Sequence, residues 1–203
     1  MDIFIVILFS YLSGSIPFGL LFTKIFIKTD IRKIGSGNIG ATNVLRSGNK
    51  YLAGITLILD ALKGYLPVII CINFFPEFVM LCSLTVFLGH VFPVWLNFKG
   101  GKGVATYLGV IMALSIQLGF LFMFTWLVVS LIFKYSSLSS LFATLTVFIV
   151  NFIRENITAI GALSISSEAQ DSKLLFIFLV LIIYTHRKNI SNLKNKTESK
   201  IKI

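Results

Sequence analysis

Long apolar segments constrain this chain more than any other feature of its sequence. A transmembrane helix needs roughly 20 mostly apolar residues, and 56% of the residues here are hydrophobic. The apolar segments cover about residues 3–27, 52–75, 78–96, 104–133, 138–153 and 174–184. They leave no room for a separate soluble domain, so residues 1–203 are predicted to form a single polytopic membrane domain. Any chemistry must lie in loops, at helix ends or between helices.

The number of spans depends on the block 104–133, which hydropathy alone allows to be one long span or two short ones. Charge favours two. With seven spans and an outside N-terminus, 14 of the 18 Lys and Arg residues lie in cytoplasmic segments, which are the loops 28–51, 97–103 and 134–137 and the tail 186–203. This agrees with the positive-inside rule. The sequence therefore predicts an all-α integral membrane protein with seven transmembrane helices, short loops and a cytoplasmic C-terminus.

The formal net charge of +10 is high for a chain with so few polar residues. Besides cytoplasmic loops, acidic lipid and phosphorylated substrates are possible reasons for such an excess. The cytoplasmic loops and the tail are predicted to emerge on one membrane face. Four polar segments could therefore contribute to one site.

The first cytoplasmic loop holds three glycines in the six residues 35–40. Their G-x-G-x-x-G spacing matches a dinucleotide-binding fingerprint, but that motif must follow a strand and open a helix, and a polar, basic stretch precedes this one. What remains is a glycine-rich backbone whose N–H groups can converge on an anion, followed by Thr42, Asn43 and Arg46. The segment predicts an anion site, with a plain flexible loop as the alternative.

The second cytoplasmic loop ends in Lys-Gly-Gly-Lys-Gly at 99–103. It is not a Walker A motif, because Lys102 is followed by Gly103 and not by Ser or Thr. Its lysines and glycines nevertheless precede an apolar helix, whose N-terminus favours phosphate. Anchoring of the span at lipid headgroups is the alternative, and it explains Lys99 better than Lys102.

Several polar residues and both cysteines fall within predicted spans. Asp60 and Lys63 are three residues apart, which predicts an internal ion pair. An intramembrane histidine such as His90 is a functional candidate by default, and the sequence leaves its role open between functional and structural. Cys71 and Cys82 lack ligand spacing and are predicted to be buried thiols.

Two kinds of chemistry are excluded by missing carboxylates. A His/Asp acyltransferase needs an acid five positions after its histidine, but Trp95 follows His90 and Ser191 follows His186 at that spacing. The cytoplasmic loops contain one acid, Asp30, so a metal centre is not expected.

The basic tail begins with a short polar motif. His186 and Asn189 would share a helix face if the last helix continues through them. The lysines farther along are expected to face acidic lipid.

Five stretches resemble the acyl-phosphate-dependent glycerol-3-phosphate acyltransferases of bacterial membranes, the PlsY family. In order along nearly the whole chain, they are residues 13–19, 35–46, 60–64, 89–93 with 98–103, and 186–190. Lys188 departs from the Glu that is usual in this family, and residues 157–173 match no motif.

The resemblance implies acyl transfer from acyl phosphate to the 1-position hydroxyl of sn-glycerol 3-phosphate, with release of phosphate and lysophosphatidic acid. It also implies seven spans, so that the block 104–133 forms two. No metal or other cofactor is expected, which for the metal follows from the missing ligand cluster. The expected partners are the two substrates, membrane lipid and an upstream acyl-carrier-protein-dependent enzyme that supplies acyl phosphate. No nucleic acid is expected. A monomer in the bacterial inner membrane, with its active site at the cytoplasmic face, is the predicted form.

The resemblance also implies residue roles, position by position. Binding of the glycerol phosphate is implied for Arg46, Lys102, Ser137 and Asn189. Positioning of the hydroxyl is implied for Ser36 and His186. Contacts to acyl phosphate are implied for Asn38, Thr42 and the 101–103 backbone with Gly101 and Gly103, and Asn43 is counted among the substrate-binding residues. Of these, Ser36, Arg46, Lys102 and His186 are the predicted catalytic residues.

A small membrane carrier for a phosphorylated solute is the alternative function. Its support is the interrupted first span, where Gly14, Pro17 and Gly19 stand in an apolar segment and predict a kink or tight packing. Carriers often show paired interrupted helices in corresponding halves, whereas only the first span is interrupted here.

Overall fold

The computed structural model describes residues 1–159 and 172–201, with the side chains of 158 and 159 excepted. The regular structure in these ranges is helical, without a strand. The α-helices are α1 (Asp2–Ser15), α2 (Phe18–Phe26), α3 (Ala41–Arg46), α4 (Lys50–Phe74), α5 (Val79–Val91), α6 (Val104–Leu114), α7 (Ile116–Phe133), α8 (Ser136–Ala159), α9 (Ser172–Thr185) and α10 (Arg187–Lys194). The predicted all-α class is confirmed there. Most of the unmatched stretch 157–173 and the tail residue Lys202 lie outside the described residues.

Five helical segments in the described ranges are long and apolar enough to cross a membrane. They are Asp2–Phe26, Lys50–Phe74, Pro76–Leu96, Ile116–Phe133 and Ser136–Ile157. A sixth is formed if α9 and α10, which are bent by 60° relative to each other, count as one span. The apolar helix α6 has 11 residues. The chain is a multi-pass membrane protein, while the count of seven stays a prediction.

The first span is broken where the sequence predicts a kink. Helix α1 ends at Ser15 and α2 begins at Phe18, with Pro17 between them lacking a backbone N–H. The carbonyl of Ile16 at this break accepts a hydrogen bond from Nζ of Lys63 at 2.6 Å. The same carbonyl accepts the backbone N–H of Phe18 at 3.2 Å, so the side chain from α4 adds a second contact at the break.

The ambiguous block 104–133 forms two helices. Ser115 separates α6 from α7 in an extended conformation, with φ −155° and ψ 114°. Its Oγ accepts from the backbone N–H of Leu118 at 3.5 Å and so caps the N-terminus of α7. Hydropathy could not choose between one helix and two because Ser115 interrupts the block with one small polar residue.

The chain divides into two compact units, Met1–Ala113 and Leu114–Ile203. In the first unit, α1 packs closely on α5. A Cβ at Gly14 would overlap the carbonyl oxygen of Val86, and one at Gly89 would overlap that of Tyr11. The two backbones approach closely because both positions lack a side chain.

In the second unit, α8 packs against α7 and α9. Nε1 of Trp126 donates to Oγ of Ser140 at 3.2 Å, and Nδ2 of Asn151 donates to Oγ of Ser172 at 3.0 Å. Polar side chains thus join neighbouring helices, as is common between membrane spans.

Candidate active site

The first glycine-rich loop is organised by the buried side chain of Asn43. Its Nδ2 lies 3.0, 3.0 and 2.8 Å from the carbonyl oxygens of Ile31, Ile34 and Asn38. Its Oδ1 accepts from the backbone N–H of Ser36 at 3.0 Å. An amide has two N–H hydrogens, and both are used by the backbone here. The side chain of Asn43 thus holds the loop together, and its expected substrate contact stays a prediction.

The other predicted residues of this segment lie on or beside the loop. Ser36 is exposed and Asn38 half-buried, with Oδ1 of Asn38 accepting a backbone N–H two residues on at 3.1 Å. Thr42 lies in the first turn of α3 and Arg46 at its end. A Cβ at Gly35 would lie 3.1 Å from Cδ of Arg46. The structure therefore brings Arg46 to the glycine loop.

The one acid of this loop is held in a local ion pair. Oδ2 of Asp30 lies 2.6 Å from Nη2 of Arg32, and Oδ1 accepts from Nε of Arg32 at 2.9 Å. The hydrogen bond from the Arg32 side chain lowers the pKa of the Asp30 carboxyl well below its usual range and raises the pKa of Arg32. Asp30 therefore remains ionised, and its charge is matched locally by Arg32.

The second loop, 97–103, is fastened to the C-terminal end of α5. The backbone N–H of Gly100 donates to the carbonyl of Val91 at 3.0 Å, and that of Gly101 donates to the carbonyl of His90 at 3.1 Å. The last carbonyls of a helix have no partner within the helix, so the loop satisfies them. The N–H of Gly101 is thus bonded within the protein, and the expected contact of Gly101 to acyl phosphate stays a prediction.

Lys102 and Gly103 stand directly before α6, which begins at Val104. Gly103 has φ 81°, a backbone angle that favours glycine, and a Cβ there would overlap the ring of Phe87. Both the backbone angle and the lack of space therefore require glycine at this position. The first N–H groups of a helix lack helical partners, and its dipole favours an anion at that end. The half-buried Lys102 adds a positive charge at the same place. This arrangement suits a phosphate group.

The ion pair predicted in the second span is confirmed. Nζ of Lys63 lies 2.7 Å from Oδ1 of Asp60, and both side chains are buried. His90 is also buried, and its Nδ1 lies 3.9 Å from the same oxygen. The two cysteines are buried as predicted.

In the second unit, Ser137 and Asn189 converge on one carboxylate. Oε1 of Glu198 accepts from Oγ of Ser137 at 2.8 Å and from Nδ2 of Asn189 at 2.7 Å. The tail is further attached by the backbone N–H of Ile201, which donates to the carbonyl of Lys134 at 2.7 Å. Ser137 has one hydrogen to donate, whereas Asn189 has two. Asn189 is therefore the better placed of the two to donate to a phosphate as well.

His186 lies at the bend between α9 and α10, so the last helix does not continue straight through to Asn189. Nδ1 of the buried imidazole lies 2.8 Å from the carbonyl oxygen of Ile182. A carbonyl oxygen only accepts, so Nδ1 carries the hydrogen. In the neutral ring, Nε2 is then the nitrogen with a lone pair.

Sequence reasoning missed the contribution of Glu198. It treated the tail as a basic, lipid-facing segment, whereas Lys200 lies over the ring of Tyr135, 5.8 Å from its centroid. The acid itself was visible in the sequence, but nothing in its spacing indicates that the tail folds back. Among the described residues, no group of three or more His, Cys, Asp or Glu could hold a metal ion.

Comparison with known proteins identifies the family. The profile of the glycerol-3-phosphate acyltransferase family matches residues 4–196. A glycerol-3-phosphate acyltransferase of Pelagibacter ubique is 52% identical over 203 residues, which cover both chains fully. One of Mesorhizobium japonicum is 50% identical over 195 residues, which are 96% of this chain and 94% of the relative.

Solved structures agree with this match. A crystal structure of PlsY (YgiH), an integral membrane glycerol 3-phosphate acyltransferase, in its glycerol 3-phosphate form is 35% identical, with a TM-score of 0.88 over 100% of this chain and 96% of that one. Its lysophosphatidic acid form is 34% identical, with a TM-score of 0.84 over 98% and 95%. The protein belongs to the glycerol-3-phosphate acyltransferase family.

Proposed function

We propose that this protein transfers a fatty acyl group from acyl phosphate to the 1-position hydroxyl of sn-glycerol 3-phosphate, giving lysophosphatidic acid and phosphate. This would be the first acylation step of bacterial phospholipid synthesis. The observation that carries the proposal is the full-length match to relatives named for glycerol-3-phosphate acylation. The two glycine-rich loops support it, because both substrates carry a phosphate group.

In the first unit, Arg46 and Lys102 supply the charge for phosphate binding. Lys102 acts together with the N–H of Gly103 at the start of α6. Ser36 orients the glycerol hydroxyl, while Asn38 and Thr42 donate to acyl phosphate. The local pairing of Asp30 with Arg32 keeps the one loop carboxylate from repelling the anions.

In the second unit, His186 and Asn189 carry the proposed roles, with Ser137 beside Asn189. Nε2 of His186 accepts a hydrogen bond from the glycerol hydroxyl, since Nδ1 is directed to the backbone. The hydroxyl oxygen attacks the carbonyl carbon of acyl phosphate, a new ester C–O bond forms, and the bond to the phosphate oxygen breaks. The departing phosphate takes the hydroxyl proton. Acyl phosphate is an activated anhydride, so orientation of the two substrates supplies much of the catalysis, and it can be worth several kcal/mol.

The membrane arrangement is proposed with the function. Seven spans are obtained if α6 and the bent pair of α9 and α10 each cross once. The 1–203 chain then forms one membrane domain, a monomer in the bacterial inner membrane with its active site at the cytoplasmic face. An acyl-carrier-protein-dependent enzyme supplies the acyl phosphate.

The test is lysophosphatidic acid formation by the purified protein in detergent, with a chelator present throughout. Acyl phosphate, acyl-CoA and acyl carrier protein are compared as donors, and turnover is expected with acyl phosphate only. A carrier would instead move glycerol 3-phosphate across liposomes without forming product. Flux without product would overturn the proposal, and activity that needs a divalent ion would overturn its metal-free mechanism.

A further inference from the structure

Three buried polar side chains of the first unit have no part in the proposed mechanism. Counted as whole residues, Asp60 and Lys63 on α4 and His90 on α5 are 2%, 4% and 4% exposed. They lie in apolar segments, where polar side chains are rare and often functional. Of the three, His90 also contacts the lysine-glycine loop.

One edge of the His90 imidazole supports that loop directly. A Cβ at Gly101 would overlap Nε2 of His90 and would lie 3.0 Å from both Cδ2 and Cε1 of the ring. The carbonyl of His90 also accepts the N–H of Gly101 at 3.1 Å. Both the backbone and the ring of His90 thus determine where Gly101 lies, and Gly101 is followed by Lys102.

The opposite edge of the ring faces a charged pair. Among the residues that the structure describes, neither Nδ1 of His90 nor Oδ1 of Asp60 has a hydrogen-bond partner, and the two atoms are 3.9 Å apart. Lys63 approaches the same oxygen at 2.7 Å in an ion pair without hydrogen-bond geometry. Nζ of Lys63 donates instead to the carbonyl of Ile16. A carboxylate facing Nδ1 favours the hydrogen on that nitrogen.

We propose that His90, whose Nδ1 faces the Asp60 carboxylate, is a positioning residue for residues 101–103 of the substrate-binding loop. The imidazole lies between the Asp60 carboxylate and the Gly101 backbone and sets the position of Lys102 without touching substrate. This inference rests on the proposed function, in which Lys102 supplies charge for phosphate binding, with the phosphate of glycerol 3-phosphate as its partner. It predicts that changes at His90 act on the KM for glycerol 3-phosphate more than on kcat.

The test changes the size of the side chains at Gly101 and His90, singly and together. Gly101→Ala places a methyl group against the imidazole and should raise the KM for glycerol 3-phosphate about tenfold or more, with a smaller effect on kcat. His90→Ala alone removes the support and should also raise this KM. In the double variant the new methyl group enters the space left by the ring, so its KM should lie below that of Gly101→Ala. The two single variants, the double variant and the wild type form a double-mutant cycle, which measures the energetic coupling of Gly101 and His90.

The matched control is Gly54→Ala on α4, where an added Cβ meets no atom within 4 Å. It should leave both KM values unchanged. His90→Asn keeps an amide N–H near the position of Nδ1 and should restore the KM partly relative to His90→Ala. If Gly101→Ala fails to fold, the comparison of His90→Asn with His90→Ala tests the proposed role of His90.

Several outcomes would overturn the inference. These are a double variant no better than Gly101→Ala, His90→Asn no better than His90→Ala, and an unchanged KM for glycerol 3-phosphate in His90→Ala. A wild-type protein that makes no lysophosphatidic acid would instead refute the proposed function. Thermal unfolding of each variant in detergent separates a changed KM from a loss of fold.

Discussion

The ammonium of Lys63 lies 2.7 Å from the carboxylate of Asp60, one helical turn away on α4, with both side chains 3% exposed. Breaking a buried pair by removing one partner leaves an unpaired charge, which is destabilising by about 3–5 kcal/mol. Lys63→Ala should therefore strongly lower the midpoint of thermal unfolding in detergent. The double variant Asp60→Leu/Lys63→Met should recover part of this loss, because replacing both partners by apolar groups is often neutral. A Lys63→Ala protein as stable as wild type would contradict the buried pair.

Lys102 and Lys99 form a matched pair of lysines on one loop. Lys102 is half-buried directly before α6, whereas Lys99 is exposed. Lys102→Ala should lower turnover by about a hundredfold or more, because it removes a charge proposed to stabilise the reacting phosphates. Lys99→Ala should turn over nearly normally. Similar losses in both variants would indicate a general effect of loop charge, and Arg46→Ala is expected to follow Lys102→Ala.

The tautomer of His186 gives a prediction about two substitutions. His186→Ala should reduce kcat roughly a hundredfold, since it removes a hydrogen-bonding group at the reacting hydroxyl. His186→Gln places an amide group near the position of Nε2 and should retain more activity than His186→Ala. Steady-state kinetics at saturating acyl phosphate measure both. Equal residual activity in the two variants would show that Nε2 does not contact the hydroxyl.

Glu198 is expected to hold the tail in place. Glu198→Ala removes the acceptor for Ser137 and Asn189, and each hydrogen bond lost at a buried group costs about 1–3 kcal/mol. The tail should then be cut faster in limited proteolysis, whereas Glu198→Gln, which keeps an acceptor oxygen, should be cut more slowly than Glu198→Ala. Glu77→Ala, at an exposed acid, is the control. Unchanged cleavage of Glu198→Ala would show that the tail does not depend on these contacts.

The proposed topology predicts the accessibility of two introduced cysteines. Cysteines placed at Ser47 and at Ser199 should both react with a membrane-impermeant thiol reagent from the cytoplasmic side alone, because both positions lie in the basic segments. The native Cys71 and Cys82 are buried, so the unmodified protein serves as the blank. Labelling of the two sites from opposite sides would refute the seven-span arrangement.

Local spacing explains what could be predicted from the sequence. The break at Pro17, the Asp60–Lys63 pair and the start of α6 after the glycine loop each depend on residues a few positions apart. The roles of whole segments could be predicted from their resemblance to the PlsY family, because the matching motifs are long and follow one another in the same order.

Contacts between distant positions explain what could not be predicted. Ser137 meets Glu198 across 61 positions of the chain, and no pattern in a basic tail indicates this return. The amide of Asn43 bonds carbonyls 12, 9 and 5 residues away, and nothing in its polar motif indicates these contacts. The bend at His186 depends on how the helix ends and not on the i, i+3 spacing to Asn189.

The break after Ser15 has a consequence for the order of biosynthesis. The Ile16 carbonyl accepts the backbone N–H of Phe18 at 3.2 Å, and it also accepts from Nζ of Lys63, 47 residues later, at 2.6 Å. The second contact can form only after the second span has emerged from the ribosome and lies beside the first. The final geometry of the break is therefore reached during helix assembly and not during synthesis of the first span alone.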